Sequence, residues 1–302
     1  MLNQPTGVEP DDGDAQRTPG PSPGDRNTQF NTLQRDLAAN GYAVIRDILT
    51  PDQVRLLRLA MKNHLKSGGW YNYGGKFQVK GMHTVPGVAQ ILTSDTILHL
   101  LKQITQPLDV VLTGECDLMI NTTSTWHKDI TQHPVYRDGR IFSDEGFRVY
   151  KVAFYLQDQD ETSRATLKVK PTSHRRADSR NLPITKAAVR AGDALVFDVR
   201  IDHLGQLPTL ADKVLRKVFQ GAGPRLHFDA EKAFSRSRSM MRSLHRKAQD
   251  RMAIFMTFGP SEAWTLAYAE GCQHRHAPVP GTMAADVVSH LANNHVALLQ
   301  LV

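Results

Sequence analysis

Two rhythms of apolar and polar residues run along this chain, helical over its first third and strand-like through its middle. Leu33, Leu37 and Ala38 recur at helical spacing and lead into Asn40-Gly41, a pair that ends helices. Tyr42-Ala43-Val44-Ile45 reads as a short strand. Thr50 is placed to N-cap a helix with Pro51 in its first turn. Val54, Leu57, Ala60, Met61 and Leu65 form the apolar stripe of that helix, and Gly68-Gly69 stops it. Residues 68–87 are rich in glycine and aromatics (Trp70, Tyr71, Tyr73, Phe77) and read as a surface loop of the kind that lines sites. A helix over 95–104 and a strand over 108–113 follow. Short apolar runs then occupy 118–120, 148–156, 165–170, 194–199 and 252–258, separated by Gly, Pro or Asp turns. Thr166-Leu167-Lys168-Val169-Lys170 alternates residue by residue, as a half-buried strand does. Helices first and many short strands afterwards predict a mainly β fold with flanking helices, a sandwich or barrel.

Length and composition set the frame. The 302 residues, 40% hydrophobic with a mean hydropathy of −0.38, suffice for one large domain with a real core. No stretch approaches a membrane span, and the first residues have neither the basic start nor the apolar run of a secretory signal. Two cysteines, Cys116 and Cys272, are too few for a disulfide framework, so a reduced, cytoplasmic setting is expected.

The net charge of +7 is unevenly spread. Residues 1–28 hold five acids, two bases and five of the sixteen prolines, with almost nothing apolar, and read as a disordered tail carrying −3. The rest, 29–302, is expected to form a single domain carrying +10. Residues 209–219 look helical, and 225–251 carry eight bases against three acids, so 208–250 reads as a basic helical insertion. Within it Arg238, Arg242 and Arg246 share one helical face, either solvated or turned toward an anion or an anionic membrane. Such a balance points to an anionic partner; no nucleic-acid recognition motif accompanies it.

The chemistry centres on Thr125-Trp126-His127-Lys128-Asp129. A His-x-Asp pair at strand spacing aims an imidazole and a carboxylate the same way. Pro171-Thr172-Ser173-His174 follows a later strand, Gly192-Asp193 opens another, and that one runs on to His203. Two histidines and one carboxylate make a facial triad with open positions, the ligand set suited to non-haem Fe(II). No P-loop, no dinucleotide fingerprint and no nucleophile elbow around Ser173 is present.

This ordered set of motifs resembles the phytanoyl-CoA dioxygenase-like family of Fe(II)/2-oxoglutarate enzymes over roughly residues 30–260. The resemblance implies a double-stranded β-helix (jelly-roll, cupin-like) core with His127, Asp129 and His203 as iron ligands. It implies 2-oxoglutarate and O2 as cosubstrates, and an arginine for the distal carboxylate of 2-oxoglutarate. Arg216 lies 13 residues beyond His203 in a helical context; Arg251 lies 48 beyond but opens a strand, and is preferred because a strand fixes geometry better. Asn121 and Thr123 are candidate hydrogen-bond partners of the cosubstrate; Trp126, Lys151, Trp70 and Tyr73 are candidates for the substrate pocket. Thr172 stands where the family has Gly, and Arg164-Ala165 where Asn-Gly is common. Related halogenases have a small residue where this chain has Asp129, so hydroxylation is implied.

The expected activity is hydroxylation of an anionic small molecule, acyl conjugate or sugar-lipid, releasing succinate and CO2, by a protein in the cytoplasm or peripherally on the inner face of a membrane. Two alternatives use the same residues: a non-catalytic jelly-roll binding an anionic ligand or membrane, and a zinc hydrolase. His174 is read as serving a turn, and His274-Arg275-His276 as no deliberate metal site.

Overall fold

The computed structural model describes residues 23–132, 139–243, 249–275 and 283–299. In chain order the elements are α1 (Pro23–Asn40), β1 (Tyr42–Ile45), α2 (Pro51–Ser67), β2 (Trp70–Asn72), β3 (Gly75–Gln78), α3 (Gly81–Thr84), α4 (Val88–Leu92), α5 (Asp95–Thr105) and β4 (Val110–Ile120). Then come β5 (Tyr150–Tyr155), β6 (Leu167–Val169), β7 (Thr185–Ala187), β8 (Ala194–Asp198), β9 (His203–Leu204), α6 (Leu210–Leu226), α7 (Ala230–Ser243), β10 (Met252–Pro260), α8 (Ala263–Arg275), α9 (Ala285–Asn293) and β11 (Val296–Leu298).

Eight strands form one sheet in the order β1-β8-β5-β10-β4-β3-β2, antiparallel throughout except for β11, which pairs with β4 in parallel. The second sheet is β7-β6-β9. The period of two along each strand sorts side chains onto two faces. Val152 and Phe154 of β5, Ala194 and Val196 of β8, and Met252, Ile254, Met256 and Phe258 of β10 pack outward against the helices. Their neighbours Ala153, Tyr155, Leu195, Phe197, Ala253 and Phe255 face inward and meet Leu167, Val169 and Ala187 of the small sheet. Two sheets closed on a shared apolar interior, with helices against the outer face of the larger one, make the jelly-roll that the motif order implies.

Most elements fall where the pattern puts them. α2 starts with a capping box, Thr50 and Gln53 each satisfying the other's backbone N–H, and buries Val54, Leu57, Met61 and Leu65. Gly41 is in the left-handed region (φ +82°) and lies so close to His174 that a Cβ would sit 2.4 Å from its Nδ1. His174 is buried within the 3-10 turn Ser173–Arg175, and burial lowers its pKa.

Four expectations need correction. Residues 68–87 are not a loop but the β2–β3 hairpin and α3; the rings lie on a short edge pair whose side chains do not alternate in polarity. The runs at 108–113 and 118–120 are one strand, β4, bulged at Gly114 (φ +79°) where the pairing with β10 shifts. α1 begins at Pro23, inside the stretch read as tail, because proline suits the first turn of a helix and the polar residues after it leave no apolar signal. The remainder of that tail, residues 1–22, lies outside the described residues. Finally, Arg238 is neither solvated nor turned to an external anion. It is 3% exposed, with its Nε 2.9 Å from Asp212 Oδ1, because α7 packs this position against α6. Arg242 is half-buried and donates to the Gln249 carbonyl, and Arg246 lies outside the described residues.

Candidate metal centre

His127, Asp129 and His203 come from separate places. The chain leaves β4 at Ile120, and His127 pairs with His203 as an isolated antiparallel bridge, the two backbone N–H···O bonds being 3.1 and 2.9 Å. Asp129 then opens a 3-10 turn, Asp129–Gln132. His203 starts β9, whose register is set by its neighbours. The buried Ser173 hydroxyl accepts the Asp202 N–H at 2.8 Å, and Lys170 N–H donates to the Asp202 carbonyl at 2.9 Å. Lys128 Nζ donates to the carbonyls of Ser173 (2.6 Å) and Arg200 (2.7 Å), so the residue between the two ligands staples their segment to the one bearing the third.

One ligand atom from each of the three side chains falls within 4.8 Å of the others. Asp129 Oδ1 is 3.5 Å from His127 Nε2 and 3.8 Å from His203 Nε2. Each imidazole uses its Nδ1 on a backbone carbonyl, Thr125 at 2.7 Å and Ile201 at 3.2 Å. A carbonyl only accepts, so each Nδ1 carries a proton and each Nε2 faces the shared space. Burial, with His127 beside it, lowers the His203 pKa to about 4, which keeps this ring neutral. Burial works against the Asp129 charge, but Lys151, His203 and His127 hold its carboxyl well below the usual carboxylate range. Burial works to lower the His127 pKa, but the hydrogen bond and charge of Asp129 outweigh it and raise the pKa. Two imidazole nitrogens and one carboxylate oxygen fit a divalent iron ion.

Behind the carboxylate stands a buried charged chain. Lys151 Nζ is 3.0 Å from Asp129 Oδ2 and 3.3 Å from Glu115 Oε2, and Glu115 Oε2 also accepts from Thr257 Oγ1 at 2.5 Å. Burial disfavours the Lys151 ammonium, but Asp129, Glu115 and Asp117 outweigh it and raise its pKa. Thus Oδ2 is held from behind and Oδ1 is the oxygen offered forward. The sequence reading passed over Glu115 and Asp117, whose charges face Lys151 behind the Asp129 carboxylate. Their signal was the alternation of Thr113, Glu115, Asp117 and Met119 on one face of β4.

The three ligands line a cavity of about 370 Å³ together with Tyr73, Thr123, Lys151, Arg216 and Arg251. Arg251, 5% exposed, donates from Nε to the Ala165 carbonyl and stacks 5.7 Å from the Tyr155 ring. Its Nη2 packs close to Gly205, where a Cβ would lie 3.2 Å from it and 3.1 Å from Ser124 Oγ. A buried arginine on the cavity wall fits the distal carboxylate of 2-oxoglutarate. Arg216 is more exposed, 3.1 Å from Glu231 and stacked on Phe234 at 4.9 Å. Tyr73 is 46% exposed at the rim, and the Thr123 hydroxyl donates to its carbonyl at 2.8 Å.

Three sequence candidates do not line this cavity. Asn121 spends its side chain on the neighbouring strand, its Oδ1 accepting from Arg251 N (2.9 Å) and its Nδ2 donating to Asp250 Oδ1 (2.8 Å). It therefore positions Arg251 rather than touching the cosubstrate space. Trp126 lies under Lys170, whose Nζ is 4.7 Å from its ring, and Trp70 is 47% exposed on the hairpin edge. Of the His274-Arg275-His276 run, His276 lies outside the described residues.

The phytanoyl-CoA dioxygenase (PhyH) family model matches residues 37–206. The chain belongs to the phytanoyl-CoA dioxygenase family. The matched span holds all three candidate ligands and ends before α6, so both arginines lie beyond it. Membership makes the protein an Fe(II)- and 2-oxoglutarate-dependent oxygenase, with O2 as second cosubstrate, and sets aside the non-catalytic and zinc-hydrolase alternatives. No curated protein matches the chain in sequence. Among solved structures, the epimerase SnoN in complex with Fe3+, alpha ketoglutarate and nogalamycin RO is similar at TM-score 0.53 and 12% identity, over 86% of this chain and 96% of that one. The carbocyclase SnoK from nogalamycin biosynthesis matches at 0.52 and 16%, over 84% and 93%. HygX from Streptomyces hygroscopicus, with nickel and 2-oxoglutarate bound, matches at 0.52 and 13%, over 76% and 87%. At these identities the likeness establishes the fold.

Proposed function

We propose that this oxygenase hydroxylates a small anionic molecule, with His127, Asp129 and His203 as the iron ligands and Arg251 as the anchor for the distal carboxylate of 2-oxoglutarate. One observation carries the reading. Two Nε2 atoms and a fixed carboxylate oxygen converge on the wall of a cavity that the buried Arg251 also lines. When bound, iron, 2-oxoglutarate and O2 supply the oxidant for C–H hydroxylation, with succinate and CO2 as coproducts.

The chain's own residues orient and exclude. The Thr125 and Ile201 carbonyls fix both imidazole tautomers, and Lys151 presents one oxygen of Asp129. Asn121 pins the backbone of Arg251, so the guanidinium comes from a fixed point at the start of β10. Arg216 enters the cavity from α6. With Tyr73, Phe77 and Phe255 also lining the cavity, it suits a substrate with an anionic group on an apolar body. That Asp129 is a carboxylate favours hydroxylation over halogenation. Cys116 and Cys272 are both buried, and two cysteines make no disulfide framework, which accords with a reducing, cytoplasmic setting.

Binding of 2-oxoglutarate to the Ni(II)-loaded protein tests the division between the arginines. Arg251→Met is expected to weaken it severely and Arg216→Met to leave it nearly unchanged; the reverse would give the role to Arg216.

A further inference from the structure

α6 has two opposed faces. On one, Asp212 pairs with the buried Arg238 and Arg216 reaches the cavity. The other carries Leu210, Val214 and Val218 at i, i+4 and i+8, and these are 80%, 63% and 59% exposed. Leu207, on the approach to the helix, is 44% exposed. Single exposed apolar residues are ordinary on a protein surface, but a continuous stripe on a helix that already has a packed inner face is not. Lys213 and Lys217, both exposed, each precede a valine of the stripe and so flank it along one side. α7 adds exposed Lys232, Arg236 and Met240, while Asp229 is the one exposed carboxylate among the described residues of 207–243.

We propose that α6 is an interfacial helix that docks the protein on an anionic lipid bilayer, its leucine and valines among the acyl chains and its lysines at the headgroups. A free small anion would be recognised by the lysines and would have no use for the stripe. An uncharged apolar surface would cover the stripe and leave the lysines unanswered. A surface apolar beneath and negative above answers both. Pro208 and Arg216 line the cavity from the opposite side of this segment, so a docked α6 would lie between the membrane and the cavity. The docking does not depend on the function proposed above and is measured without turnover.

The test is co-sedimentation of the full chain with vesicles of phosphatidylcholine alone and of phosphatidylcholine with phosphatidylglycerol. The wild type is expected to sediment with the anionic vesicles and far less with the neutral ones. Combined Leu210→Gln, Val214→Gln and Val218→Gln should abolish sedimentation while leaving the thermal midpoint and 2-oxoglutarate binding unchanged. Lys213→Gln and Lys217→Gln should each weaken it about fivefold at low salt. Sedimentation that survives the triple change, is equal on both vesicle types, or is absent from the wild type would overturn the proposal. So would a wild-type dimer that the triple change dissolves, since a second copy would then cover the stripe.

Discussion

Replacing Arg238 with Met separates a structural arginine from a surface one. Arg238 and Asp212 are 4% and 7% exposed at their side chains and 2.9 Å apart. The guanidinium also donates to the carbonyls of Gly74, at 2.8 Å, and Asn121. One side chain thus ties α7 to the start of α6, to the β2–β3 turn and to the corner that holds Arg251. Methionine keeps much of the volume but leaves the Asp212 charge buried and two carbonyls without this donor. Breaking a buried pair from one side costs about 3–5 kcal/mol, whereas loss of an exposed arginine costs under about 1 kcal/mol. Against a total stability of roughly 5–15 kcal/mol the difference is large. Urea denaturation followed by circular dichroism should show the larger loss for Arg238→Met and the smaller for Arg242→Met, whose side chain makes one exposed bond to Gln249. Adding Asp212→Asn to Arg238→Met should cost less than the two single losses summed, because the orphaned charge is then gone. Equal, small losses for Arg238→Met and Arg242→Met would refute the buried-pair reasoning.

Two further outcomes follow from the site and its support. Lys151→Met should weaken Ni(II) binding about 10- to 100-fold in calorimetry, the usual scale when a residue orienting a metal ligand is removed; if the ammonium acted by charge alone, its removal would strengthen binding. Gly41→Ala forces a left-handed φ on alanine and a Cβ into His174, so it should lower stability by more than about 1 kcal/mol in thermal denaturation; an unchanged midpoint would show that the turn is not so constrained.

Local signals were legible from the chain alone. Thr50, Pro51 and the stripe from Val54 to Leu65 define α2 because caps and period act within one element. The His-x-Asp pair and the distal His203 were readable because the ligand types and their order carry the chemistry, and the geometry gathers them. What was hidden depends on partners far away in sequence. The spacing of Arg238, Arg242 and Arg246 tells which face they share but not that Asp212 covers the first. β4 looked like two strands because Glu115 and Asp117 interrupt its apolar run. Those interruptions are the inward polar face that reaches Lys151, visible only once β5 lies nearby. Asn121 likewise looked like a cosubstrate contact, since nothing local reveals that its amide is spent on residues 250 and 251.

Calorimetric titration of the metal-free protein with Ni(II), in the wild type and in His127→Ala, Asp129→Ala and His203→Ala, tests the central claim most directly. The account predicts one ion per chain in the wild type, its loss in each variant, and 2-oxoglutarate binding only to the loaded wild type. A metal site that survives all three substitutions would contradict it.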